Sequence, residues 1–106
     1  MADLKGSLDQ MDKAEFPMVD VLRVRHAGGH RLSIRFSTGE EGVWDFGAMV
    51  AGSGAMVEPL RDISYFARVF VEMGAPTWPN GYDVDSIKLY MDMRDAHTLS
   101  HTMAAE

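Results

Sequence analysis

The chain has 106 residues, 46% of them hydrophobic and 25% charged, with a formal net charge of -6. That length supports one domain, and that balance excludes a disordered tail, a collagen-like or low-complexity chain and a disulfide-stapled mini-protein. The absence of cysteine removes thiol nucleophiles, thiolate zinc sites and disulfides together. Met1 to Ser7 lacks the apolar run of a signal peptide, and no stretch reaches the length of a membrane span, so the expected location is the cytoplasm, away from membranes.

The charge is unevenly spread. Val21 to Gly39 contains Arg23, Arg25, Arg31 and Arg35 and no acid, so the remainder of the chain carries -10. An acidic body disfavours nucleic acid, because phosphate binding is mostly charge neutralisation. A short basic segment still suits a local anionic or acidic-protein contact.

In chain order, residues 1–15 are polar and without periodicity, and read as a flexible N-terminal arm. A single α+β domain is expected over 16–93. Val19 to His26 is rich in β-branched residues, and Arg31 to Phe36 alternates cleanly, so both read as strands. Gly42 to Phe46 is the third strand of an antiparallel meander. Register follows from avoiding buried guanidinium groups. A three-residue loop at Gly28-Gly29-His30 sets Val24 opposite Ile34 and Leu22 opposite Phe36 inside, with Arg23 opposite Arg35 outside. A similar loop after Ser37 sets Trp44 opposite Ile34, Phe46 opposite Leu32, and Asp45 beside Ser33. The expected core is Leu22, Val24, Leu32, Ile34, Phe36, Trp44, Phe46, Phe66 and Trp78.

Beyond the meander, Gly47 to Gly54 reads as a loop or one helical turn. Asp62 is a plausible N-cap for a short helix with Ile63, Phe66 and Ala67 on one side. A strand at Val69-Phe70-Val71 is followed by a turn at Gly74-Ala75-Pro76 and an extended Thr77-Trp78-Pro79-Asn80-Gly81 that turns again, giving a strand pair. A C-terminal helix over Asp85 to about Met93 presents Ile87, Tyr90 and Met91. The tail 94–106 either extends that helix or frays.

Phe36-Ser37-Thr38-Gly39, Gly42-x-x-Asp45-Phe46, Pro59-Leu60-x-Asp62-x-x-x-Phe66 and Trp78-Pro79-Asn80-Gly81-x-Asp83-x-Asp85 follow one another in order and lead to Leu89-Tyr90. This series resembles the small bacterial domain-of-unknown-function family 2442, from about residue 19 to residue 90. The resemblance implies a compact α+β domain and carries no established reaction. The chain departs from the family pattern at Pro76, usually an apolar strand residue, and at Ser86, usually proline.

Two constellations are candidate sites. Arg23, Arg25, Arg31 and Arg35 form either a docking face for carboxylates or phosphates, which arginine forks suit, or a solvated face balanced by Asp45, Glu41 or the acidic tail. Trp78, Asn80, Tyr82 and Asp83 form either a recognition turn or a purely structural one, with Trp78 over the core, Asn80-Gly81 turning the chain, and Asp83 or Asp85 capping a helix. His97 and His101 stand four apart, as helical metal ligands do, with Asp95 as an offered third ligand, but no HExxH pattern supports a metal site. His26 and His30 offer no better set. No nucleophile elbow, phosphate loop or dinucleotide fingerprint is present, so neither catalysis nor a cofactor is expected. The sequence thus reads as a non-catalytic module that holds another protein, or a second copy, through the arginine face or a sheet edge. The alternative is a nucleic-acid-associated regulator contacting phosphates through the same four arginines.

Overall fold

The computed structural model describes residues 18–101, so the expected arm 1–15 lies outside the described residues. In order come β1 (Val21–His26), β2 (Arg31–Phe36), β3 (Glu40–Asp45) and α1 (Gly47–Val50), then a 3-10 turn (Glu58–Arg61) and α2 (Ile63–Phe66). β4 (Phe70–Glu72), β5 (Ala75–Thr77), α3 (Ser86–Asp95) and β6 (Ser100–His101) complete the fold. The main sheet is antiparallel with strand order β1-β2-β3-β6, and β4 and β5 form a separate hairpin. The expected α+β architecture is therefore present, with one further strand.

The first hairpin closes as the charge argument requires. Val24 faces Ile34 and Arg23 faces Arg35, and the Arg31 amide donates to the Gly28 carbonyl across the three-residue loop. Leu22 is a correction. A β-bulge between Val21 and Arg23 inserts it as an extra residue, so Val21 faces Phe36 and is buried while Leu22 is 58% exposed. The bulge is anchored from outside the sheet, because the Val21 amide donates to the Gly74 carbonyl of the β4–β5 turn at 2.8 Å.

The second hairpin is also corrected, by a slip of two residues. Trp44 faces Leu32, Gly42 faces Ile34, and Asp45 faces Arg31 rather than Ser33. Phe46 lies past the strand end, its amide donating to the His30 carbonyl. The turn starts at Ser37, not after it: the Gly39 amide donates to Phe36, while the Thr38 hydroxyl donates to the Glu40 carboxylate and accepts from the Glu40 amide. A two-residue slip preserves the side-chain parity of a strand, so the apolar face stays inward.

The core lies between the inner sheet face and the helices. Leu32, Ile34, Phe36, Leu60, Phe66, Trp78 and Met93 are fully buried, and Val24 and Trp44 pack against them half-buried. Asp62 caps α2 through the Ser64 amide, as expected, but one turn of helix can bury only one side chain. Phe66 takes that place, and Ile63 and Ala67 are exposed. The following strand begins one residue later than expected, at Phe70. Pro76 is accommodated in β5 because its carbonyl accepts from Val84 and no donor is needed there. Asp85, not Asp83, caps α3, and the Ser86 hydroxyl ties the helix start to the Val19 carbonyl. The buried stripe of α3 is Leu89, Tyr90 and Met93, with Ile87 and Met91 half-buried beside it.

The tail extends α3 by Arg94 and Asp95 and, over the rest of its described part, turns back as a strand. The helix stops at Asp95 in a Schellman arrangement, in which the Thr98 amide donates to Met93 and the His97 amide to Arg94. His97 holds the left-handed position at φ 59. The chain then reverses and pairs Ser100 and His101 with Glu41 and Glu40 of β3. Gly42 makes this return possible, because the Thr98 carbonyl occupies the place a Cβ would need. Gly42→Ala is expected to lower stability by about 1–3 kcal/mol, as overpacking against backbone does, measured by urea denaturation. His97→Gly is expected to raise stability by roughly 1 kcal/mol through relief of the left-handed strain, read in the same denaturation series.

Candidate functional site: the arginine-bearing sheet face

Strand alternation sends Arg23, Arg25, Arg31, Ser33 and Arg35 to the sheet face opposite the core, where β3 adds Glu41, Val43 and Asp45. The face is organised in cross-strand rows. In the first, Arg23 faces Arg35 and Arg35 faces Glu41. Both guanidinium groups lie 3.7 Å from the same Glu41 oxygen, so one carboxylate offsets a like-charge pair. These pairs are half-exposed, and each contributes only ~0–1 kcal/mol.

The second row is Arg25, Ser33 and Val43. Among the described residues Arg25 has no carboxylate within ion-pair distance, and Val43 is 45% exposed. The third row sets Arg31 opposite Asp45, yet the two do not form an ion pair. Arg31 donates to the carbonyls of Ala27 at 3.0 Å and Gly28 at 3.4 Å, bracing its own turn. Asp45 accepts from the Gly47 amide at 2.8 Å and holds the start of α1. The four arginines are thus not equivalent: two are shared with Glu41, one is structural, and Arg25 has no ion pair among the described residues. Val43 gives the face its apolar component, and Leu22 is exposed at the bulge on the edge strand. Leu22 escaped detection because strict alternation placed it inside, although the Val21-Leu22 pair breaks that alternation and is the local signal of a bulge.

The Trp78–Asp83 turn is brought together chiefly by its own hydrogen bonds. Trp78 is fully buried and its indole Nε1 donates to the Phe66 carbonyl at 2.8 Å. Asn80 accepts from the Tyr82 amide and donates to the Met56 carbonyl, so its amide group is spent on the turn. Tyr82 packs half-buried near Trp78, and Asp83 is exposed beyond a bridge to Thr77.

The histidines do not converge. His97 follows the end of α3 and His101 lies in β6, so the helical spacing that would put both rings on one side does not exist. His26 and His30 direct Nε2 at the carbonyls of Gly29 and Arg61 respectively, and both rings stand edge-on to Phe66. A carbonyl only accepts, so each Nε2 carries the proton. Arg61 is the structural cation that sequence reading missed. It donates to the carbonyls of Val50, the last residue of α1, and of Gly52 just beyond it, satisfying groups that the helix end leaves open.

At the other side of β3, the Tyr90 hydroxyl donates to the Glu40 carboxylate at 2.6 Å. This bond holds the Glu40 carboxyl below its usual range, burial opposes it, and Thr38, His101 and Arg94 assist. The same bond, with burial, pushes the Tyr90 phenol up. The sign follows from linkage. The depressed Glu40 contributes stability above the ordinary carboxylate pKa that is lost as pH falls through its folded value. The raised Tyr90 contributes stability below pH 10 that is lost as its folded pKa is passed. Tyr90→Phe is expected to move the Glu40 titration upward and to weaken the dependence of stability on pH in the acid range, followed by carboxyl NMR and denaturation.

No helix of the described residues is long and apolar enough to cross a membrane. No curated protein and no solved structure matches the chain. Residues 21–95 match the family described as a protein of unknown function (DUF2442), and the matched span runs from β1 to the last residue of α3. The chain belongs to the DUF2442 family.

Proposed function

We propose that this protein is a non-catalytic interaction module whose outer sheet face holds an acidic surface of another protein. The observation that carries this reading is the row of Arg25, Ser33 and Val43. Among the described residues it combines a guanidinium that has no ion pair with an exposed valine on the sheet face opposite the core. Arginine beside apolar surface is the composition of protein interfaces, where a guanidinium fork meets a carboxylate and its neighbours exclude water. Nucleic acid is the less favoured ligand, because Glu41 sits between two of the four arginines and offsets one of their two charges, and Arg31 is turned to its own loop.

A photo-crosslinking residue at Val43, introduced into the full chain in its native cells, tests this. A discrete protein adduct is expected, weakened at least severalfold by Arg25→Gln and by raised salt, since exposed charges are screened within ~8 Å at physiological ionic strength. Circular dichroism should be unchanged in the variant. An adduct equally strong in Arg25→Gln, or the absence of one, overturns the reading. Retention of the wild type on duplex DNA at physiological salt, lost in Arg25→Gln, transfers the face to phosphate recognition.

A further inference from the structure

A second surface, of opposite charge, lies at the β4–β5 hairpin. A shallow cavity of about 180 Å³, open to solvent on one side, is lined by Glu72, Met73, Thr77, Gly81 and Asp83. Both of its charged residues are acids. Met73 occupies the hairpin turn at φ 54 and is 95% exposed. An unbranched apolar side chain there adds nothing to the core, while its backbone conformation is one that asparagine or glycine adopts more cheaply. The methyl of Met56, itself 45% exposed, lies 3.8 Å from the Cβ position of Gly81 on the cavity wall. Met18, 85% exposed, stands two residues before Asp20, whose carboxylate lies against Gly74 next to Met73.

Flexible, polarizable methionines beside carboxylates define the class of ligand. Methionine surfaces adapt to varied apolar side chains, and a lysine or arginine lays an apolar stem along such a surface while its head stays with counter-charges. We infer that this cavity binds a basic, leucine-type amphipathic segment of a partner protein. One lysine or arginine is seated with its stem against Met73 and Met56 and its head between Glu72 and Asp83. The site is independent of the arginine rows and takes the opposite class of partner.

The full chain with ¹³C-methyl-labelled methionine is titrated with an amidated peptide of lysine and leucine at helical spacing. Two control peptides replace lysine by glutamate or leucine by serine. The Met73 and Met56 methyl resonances are expected to shift with the lysine–leucine peptide, and at least tenfold less affinity is expected for either control. Met73→Asn should weaken binding about tenfold while raising the melting temperature, which separates binding from folding. Glu72→Gln with Asp83→Asn should weaken it severalfold at low salt, and Arg25→Gln should leave it unchanged. Unmoved methyls, wild-type affinity in Met73→Asn, or equal binding of either control peptide overturns the inference.

Discussion

The fold depends on the burial of one indole. Trp78 is removed from water completely, and an unpaired indole N–H there would cost about 1–3 kcal/mol. Its one hydrogen bond reaches the Phe66 carbonyl, so the turn after β5 and the end of α2 must meet. Phe66 in turn touches the rings of His26, His30, Phe46 and Trp78, and thereby joins the first hairpin to the segment after β3. The order of short motifs along the chain makes physical sense in this frame. Asp62 starts the turn that presents Phe66, and Asn80 closes the turn that presents Trp78.

The same economy explains why many polar residues that look chemical are structural. Arg31, Arg61, His30 and Asn80 each have their hydrogen-bonding groups turned onto backbone carbonyls of loops, which otherwise lack partners. A chain with little regular structure between β3 and α3 needs such side-chain ties. What is left over defines the surface that can act. On the sheet face the remainder is Arg25 with its valine neighbour. At the β4–β5 turn it is an exposed methionine between acids.

The C-terminal return shows how a local signal and a distant one combine. α3 ends through backbone geometry at His97, a residue that takes the left-handed position at a cost. The return is stabilised only when β3 offers both a missing side chain at Gly42 and a free ladder edge at Glu40 and Glu41. The Tyr90–Glu40 bond then links α3 to the strand against which β6 pairs. Helix, strand and tail are in this way one cooperative unit.

By itself the sequence determined most of what strand parity and helix N-capping govern. Alternation and the cost of burying guanidinium separated the arginine face from the core, the paired glycines set the first hairpin, and Asp62 announced the start of α2, while Asp83 and Asp85 were both offered for α3. Tertiary structure alone decided what parity cannot see. The two-residue slip of β3 leaves every face unchanged, so no hydrophobic pattern distinguishes it. The bulge at Leu22 depends on a carbonyl from Gly74, more than fifty positions away. β6 depends on Gly42 lying beneath Thr98. Which arginine has neither an ion pair nor a turn carbonyl among the described residues was equally illegible, because Arg25 and Arg31 are the same residue on the same face. They differ only in whether a turn carbonyl lies within reach.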